Sequence, residues 1–357
     1  MESLREEVRS KNLSPLWEIS EGLFTTEPAS LVRPFLWKGK EIISYLMKFG
    51  DMVVPGAEVG RRALTLIHPD IKRYGGASWN IQIGFQLVKR GEKAPPHRHN
   101  SQASRFMIQG KATTVIDGER VDMEKGDYVI TPGWTFHEHL LEDGEYALWL
   151  DTLDIPFVTR QGISFFEDYP EPWQEIARSE KEVFRKATQR SLAAWKGKER
   201  RNPRPLIYKW KDAYELLVDM ANHNETTEYD GVRLSYSDPT TPSGATTCTF
   251  GADLTLLKPG AKTKSHRHTS SPIYYVVEGQ GYTIVNGERF DWEKHDVLSI
   301  PAWAWHEHVN TGNEPAIRLM LHDEPLLNAF VLHREEDYLQ PVKYQTIEER
   351  AVVPKGK

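Results

Sequence analysis

The sequence predicts a mainly β protein: two similar barrels, a helical arm before the first, and a helical linker between them. Three observations predict it. From about Ala77 the chain breaks into short runs rich in β-branched and aromatic residues, divided by turns containing Gly and Asp. The segment GERVDMEKGDYVITPGWTFHEH from Gly118 returns as GERFDWEKHDVLSIPAWAWHEH from Gly287, with 12 of 22 positions identical. Four histidines recur at one offset of 169 residues: His97, His99, His137 and His139 reappear as His266, His268, His306 and His308. Self-similarity of this kind marks an internal duplication, and many short strands with regular turns make a sandwich or barrel.

Residues 1–75 are expected to form the helical arm. LREEVRSKNLSPLWEISEGLF is amphipathic, and Pro15 after Ser14 reads as a helix start. EIISYLMKFGDMV is a second helix candidate, and GRRALTLIHPDI brings in Arg61 and Arg62. Residues 76–160 are assigned to the first barrel. There ASWNIQIGFQLVKRG alternates, GEKAPPHRH turns into a His-x-His strand, and SRFMIQG, KATTVIDG, ERVDM, DYVITP and YALWLDTLDIP supply further strands. Residues 161–245 form the linker, with EPWQEIARSEKEVFRKATQRSLAAW and YKWKDAYELLVDMANHN as helices separated by Asn202-Pro203-Arg204-Pro205. Residues 246–330 make the second barrel. Residues 331–357 are a polar tail expected to pack on a neighbour.

Composition excludes several function classes. A net charge of −6 and a pI near 6.1 argue against nucleic acid as a partner. The aromatic complement of 11 Trp, 13 Phe and 14 Tyr is enough for sizeable cores. Cys248 is the one cysteine, so neither an intrachain disulfide nor a thiolate cluster is available. The charged N-terminus lacks a signal-peptide core, and no apolar stretch is long enough to cross a membrane. A cytoplasmic protein without a membrane partner is expected.

The histidine spacing carries the chemistry. Residues i and i+2 of a strand share a face, about 6.6 Å apart. His97 and His99 therefore aim two imidazoles at one point, and hairpins at Asp117-Gly118 and Lys125-Gly126-Asp127 return His137 towards them. Imidazole suits iron, zinc, copper and nickel alike, so spacing alone leaves the metal open. His266, His268 and His306 form a possible second metal site. Arg105 lies six residues after His99, an even step that on a continuous strand shares the ligands' face, and its guanidinium suits a carboxylate. The second copy has Tyr274 there, which points to a structural or vestigial site.

The pattern G-x5-H-x-H, then G-x5-P-x-x-x-x-H, resembles the two cupin motifs: Gly91 to His99 and Gly126 to His137 match, as do Gly260 to His268, while His295 replaces the later glycine in the second copy. Many cupins add a glutamate four or five residues after the second histidine; here Ala103 and Ser104, and Pro272 and Ile273, stand there, leaving three histidines as the set. With LSPLWE, GFQL, PPHRHNSQASRFMIQG, ITPGWTFHEH, LWLDTLDIP, HRHTSSPIYYVVEG and IPAWAWHEH, the chain resembles the gentisate 1,2-dioxygenase family, which includes salicylate and 1-hydroxy-2-naphthoate dioxygenases.

The resemblance implies a bicupin, two double-stranded β-helix (jelly-roll) barrels, and a homotetramer. It implies Fe(II) on His97, His99 and His137. It makes Arg105 the anchor of a substrate carboxylate, sets His139 near the substrate, and has Gln86, Asp151 and an early arginine, Arg61, line the site. Gln82, Gly84 and Gln86 share one strand face, so Gln82 and Gly84 shape the pocket. Gln82 stands where relatives carry an aromatic, so the preferred ring is expected to differ from gentisate. Three neutral ligands leave Fe(II) with its full charge, which favours an anionic chelate. A small aromatic 2-hydroxy acid fits, opened by O2 between its carboxyl- and hydroxyl-bearing carbons, with His139, Arg105 and Asp151 as catalytic candidates. The rival readings are a non-oxygenase bicupin (an isomerase or decarboxylase acting on an aromatic or keto acid) and a storage protein. Two complete histidine sets count against storage.

Overall fold

The computed structural model describes residues 1–56, 59–71, 75–177, 206–238, 241–338 and 344–347. Two barrels dominate it, each made of a six-stranded and a five-stranded antiparallel sheet. In the first barrel the strands are β3 (Gln82–Lys89), β4 (Lys93–His99), β5 (Ala103–Gln109), β6 (Lys111–Ile116), β7 (Glu119–Glu124), β8 (Tyr128–Thr131), β9 (His137–Leu140) and β10 (Tyr146–Leu153). The second repeats them as β14 (Gly251–Leu257), β15 (His266–His268), β16 (Ile273–Glu278), β17 (Gln280–Val285), β18 (Glu288–Glu293), β19 (Val297–Ser299), β20 (His306–Asn310) and β21 (Ala316–His322). Each strand alternates between the interior of its barrel and the outside. Val88, Met107 and Trp149 fill the bottom of the first barrel, and Leu257, Val276 and Trp292 that of the second. Outward residues of the two six-stranded sheets meet in a shared core, where Tyr275 stands edge-on to Phe85 and Phe106 at 6.2 and 5.9 Å between centroids.

The arm and the linker differ from the sequence reading. Helices α1 (Glu2–Ser10), α2 (Leu16–Leu23) and α3 (Gly39–Met52) form as expected, but the arm also holds β1 (Phe35–Trp37) and β2 (Ala63–Thr65). In the linker, β12 (Leu206–Tyr208) leads into α5 (Trp210–Asn222), and β13 (Val232–Ser235) follows. Strand β1 pairs with β19 of the second barrel, whereas β12 pairs with β8 of the first. Each repeat thus lends its opening strand to the other barrel. Matching carboxylates pin the exchange. Asp296 accepts from Lys38 Nζ at 2.6 Å and Gly39 N at 2.9 Å, and Asp127 accepts from Lys209 Nζ and Trp210 N, both at 2.9 Å. Three-residue runs such as FLW carry too little periodicity to be seen as strands in sequence.

The stretch Glu171–Ala177, expected to open a helix, is not helical. Its hydrogen-bonding groups go to the first barrel: Gln174 Nε2 donates to Val115 O, Gln174 Oε1 accepts from Gly118 N, and Ala177 N donates to Gly118 O. The rest of that expected helix lies outside the described residues. After α4 (Ile155–Arg160), β11 (Phe166–Asp168) adds to β4; after α6 (Glu324–Ala329), β22 (Glu335–Asp337) adds to β15. The start of the tail therefore packs on its own barrel.

Candidate metal centre and substrate pocket

Strand pairing assembles the first site. His97 stands opposite His137 across β4 and β9. Centroid separations are 4.3 Å for His97–His137, 4.9 Å for His99–His137 and 5.5 Å for His97–His99. One ring nitrogen from each lies within 4.8 Å of the others. Backbone carbonyls orient the rings: Nδ1 of His99 faces Ser101 O at 2.9 Å, and Nδ1 of His137 faces Thr135 O at 3.0 Å. A carbonyl accepts only from a protonated nitrogen, so Nε2 of each is left as the lone-pair donor. Burial holds His97 down to about 2 and His99 to about 4, and puts His137 well below its usual range. The rings are therefore neutral, the form that ligates a metal. A three-imidazole set with oriented donors fits a divalent transition metal.

A cavity of about 430 Å³ opens in front of this triad. Its opposite wall is read from the register across the six-stranded sheet. Gln82 pairs with Leu153 at the rim; Thr65, Gly84, Asp151 and Arg105 form the next row; Ala63, Gln86 and Trp149 lie deeper. Arg105 is buried, donates through Nη1 to Thr131 Oγ1, and holds Asp151 with Nε 3.2 Å from Oδ1. Burial lifts Asp151 to about 6 although Arg105 opposes the shift, and Trp149 Nε1 donates to Asp151 at 3.1 Å. Arg61 lies against the His97 ring and donates to Pro95 O at 2.9 Å. Burial brings Arg61 down to about 10, so it stays cationic. Two guanidiniums against one carboxylate leave the pocket positive. Gln86 Nε2 is buried and, among the described residues, has no hydrogen-bond partner.

Every expected wall residue meets at this cavity: Gln82, Gly84, Gln86, Arg61, Arg105 and Asp151 line it with the triad. His139 does not. It shares the inward face with His137 but lies a step deeper, edge-on to Trp149 at 5.4 Å between centroids. Both its ring nitrogens lack hydrogen-bond partners among the described residues, so it does not hold Asp151 either. Strand alternation gives a residue's face, not its depth. Sequence reading missed Thr65, which accepts from Gln82 Nε2 at 3.2 Å, and also Phe165 and Phe166. The Phe166 ring stacks on His97 at 5.1 Å, brought there by β11 from outside any motif.

The second triad has the same geometry, with His266–His306 at 4.3 Å and His268–His306 at 4.9 Å between centroids, and all three are buried. Its approach is different. Asp253 and His322 occupy the places of Gly84 and Leu153, and Tyr274 that of Arg105. Arg233 joins Asp253 at 2.7 Å and Glu324 at 3.4 Å, while His322 Nε2 is 3.3 Å from Asp253. Gly251, at the Gln82 position, makes the room: a Cβ there would lie 2.6 Å from the His322 ring. Charged side chains stand where the first barrel has Gly84 and Leu153 on its cavity wall.

Two β-sandwich barrels, each with a three-histidine cluster placed to hold a metal ion, define a bicupin. The Cupin domain family matches residues 84–153 and again 253–322. Over 97% of its length the chain is 34% identical to 5-aminosalicylate 1,2-dioxygenase of a Comamonas species, covering 93% of that protein. It is 33% identical to gentisate 1,2-dioxygenase 1 of Aquipseudomonas alcaligenes over 84% of this chain and 86% of the other. Salicylate 1,2-dioxygenase of Pseudoaminobacter salicylatoxidans, solved as an adduct with gentisate, superposes with a TM-score of 0.84 at 26% identity over 94% of this chain and 93% of that one. The chain belongs to this family of ring-cleaving 1,2-dioxygenases.

Proposed function

We propose that this protein is an Fe(II)-dependent dioxygenase that opens a 2-hydroxybenzoate-type ring between its carboxyl- and hydroxyl-bearing carbons. Both oxygen atoms of O2 enter the product and no external reductant is consumed. The observation that carries the reading is the convergence of a neutral three-histidine set and two guanidiniums on one cavity. His97, His99 and His137 would hold Fe(II), which would supply Lewis acidity and a path for electrons between ring and oxygen. Arg105, held by Thr131 and Asp151, grips the carboxylate through charge-assisted bonds. Arg61, freed from His97, screens the anion at the mouth. Gln86 donates its unpartnered Nε2 to the bound acid. Gln82 at the rim and Thr65 in the row below it offer polar atoms suited to a ring bearing an amino group. His139 supports the His137 side of the site from behind.

The second triad takes a structural metal, because Asp253, His322 and Tyr274 stand where the first barrel has Gly84, Leu153 and the carboxylate anchor Arg105. The assembly is a homo-oligomer, a tetramer by family likeness. Trp17 at 78% and Phe24 at 69% exposure give the arm an apolar surface to bury in it. A single unpaired cysteine suits a cytoplasmic setting.

Turnover under 18O2 tests the chemistry. Two labelled oxygens in the ring-opened product are expected. No label returns the protein to the isomerase or decarboxylase reading, and a single label marks a monooxygenase instead.

A further inference from the structure

We infer that each barrel braces the metal-ligand turn of the other, and that Thr249 and Asp154 are positioning residues for the first centre. The inference rests on reading the two triads as metal sites. Asp154, buried at the start of α4, accepts from Gln102 N at 2.8 Å and from Thr249 Oγ1 of the second barrel at 2.7 Å. Gln102 closes the turn whose Ser101 carbonyl orients His99, and its side chain accepts from Gly133 N at 3.1 Å in the loop before His137. One contact between barrels therefore reaches two of the three ligands.

The same device appears in reverse. Asp323 accepts from Ser271 N at 2.8 Å and from Asn80 Nδ2 of the first barrel at 2.6 Å. Ser270 O, one residue before Ser271, faces His268 Nδ1 at 3.1 Å. Asn80 and Thr249, Asp154 and Asp323, Gln102 and Ser271, and His99 and His268 are all 169 residues apart. Side chains that differ in kind, an amide and a hydroxyl, make the same contact at equivalent places. Packing alone does not require that. A buried carboxylate with two donors holds a turn rigidly, and outer partners that orient a ligating histidine control metal affinity.

The reciprocity supplies the test. The full chain is loaded with Co(II), and release to a chelator is followed by visible absorption. His306→Ala isolates the first site and His137→Ala the second; the two phases of release from the unsubstituted triads give the same information. Thr249→Val should speed release from the first site by about tenfold and leave the second unchanged. Asn80→Ala should do the opposite, and Thr249→Ser should restore the native rate. Equal acceleration at both sites, or none with either variant, overturns the brace while leaving the metal centres standing. Failure of the native protein to bind Co(II) at His97, His99 and His137 overturns the metal reading, and the brace with it.

Discussion

Asp154→Asn should flatten part of the pH dependence of stability. Asp154 is 2% exposed, and burial raises it to about 6 from 3.8, against the pull of its Thr249 and Gln102 donors. Between these two values the folded protein holds a proton that the unfolded chain has lost. Its contribution is full below the unfolded value and is lost as pH rises through the folded one. Two units at 1.36 kcal/mol each set an upper figure of about 3 kcal/mol. Asparagine does not ionise. Its Oδ1 still accepts from Gln102 N and its Nδ2 can donate to Thr249 Oγ1, so both contacts survive. The variant should match the native protein near pH 4 and exceed it at pH 7.5 by up to about 3 kcal/mol. Thermal midpoints measured from pH 4 to 8 check this. A gap that stays constant or narrows as pH rises would refute the assignment of the buried carboxyl.

Three further outcomes follow from the same geometry. Arg105→Ala should raise KM roughly 10- to 100-fold, the worth of one or two charge-assisted bonds, with metal content by elemental analysis unchanged; native kinetics would remove Arg105 from the site. Gln82→Leu should lower kcat/KM for 5-aminosalicylate relative to salicylate, and an unchanged ratio would show that the rim does not read the ring. His322 is raised, because Glu324 and Asp253 outweigh burial. Its stabilisation is present at low pH and lost as pH rises through the raised value, so His322→Gln should destabilise more at pH 6 than at pH 9 in urea titrations.

Much of the site was legible because its chemistry is local in sequence. His97 and His99 share a strand face by their spacing, and the 169-residue repeat showed that this spacing is not chance. The row Gln82, Gly84, Gln86 needed only strand alternation. Arg105 was placed by parity and did land on the ligand side, although a turn at Asn100–Gln102 interrupts the strand. What stayed hidden depends on distant pairing. Phe166 reaches His97 only because β11 docks on β4. The exchange of β1 and β12 between barrels involves strands of three residues, below the length at which periodicity shows. Asp154 and Thr249 lie 95 residues apart, and nothing local to either announces the other. The different approach to the second triad was foreshadowed by Tyr274, but the pairing of Asp253 with His322 is set by the fold alone.

Oxygen consumption against ring consumption tests the central claim most directly. The chain is loaded with Fe(II) in the absence of oxygen, and uptake is recorded with gentisate, salicylate, 5-aminosalicylate and 1-hydroxy-2-naphthoate. One O2 per ring opened is the predicted result for at least one of them, abolished by His137→Ala. No uptake with the whole set, with iron bound at His97, His99 and His137, would contradict it.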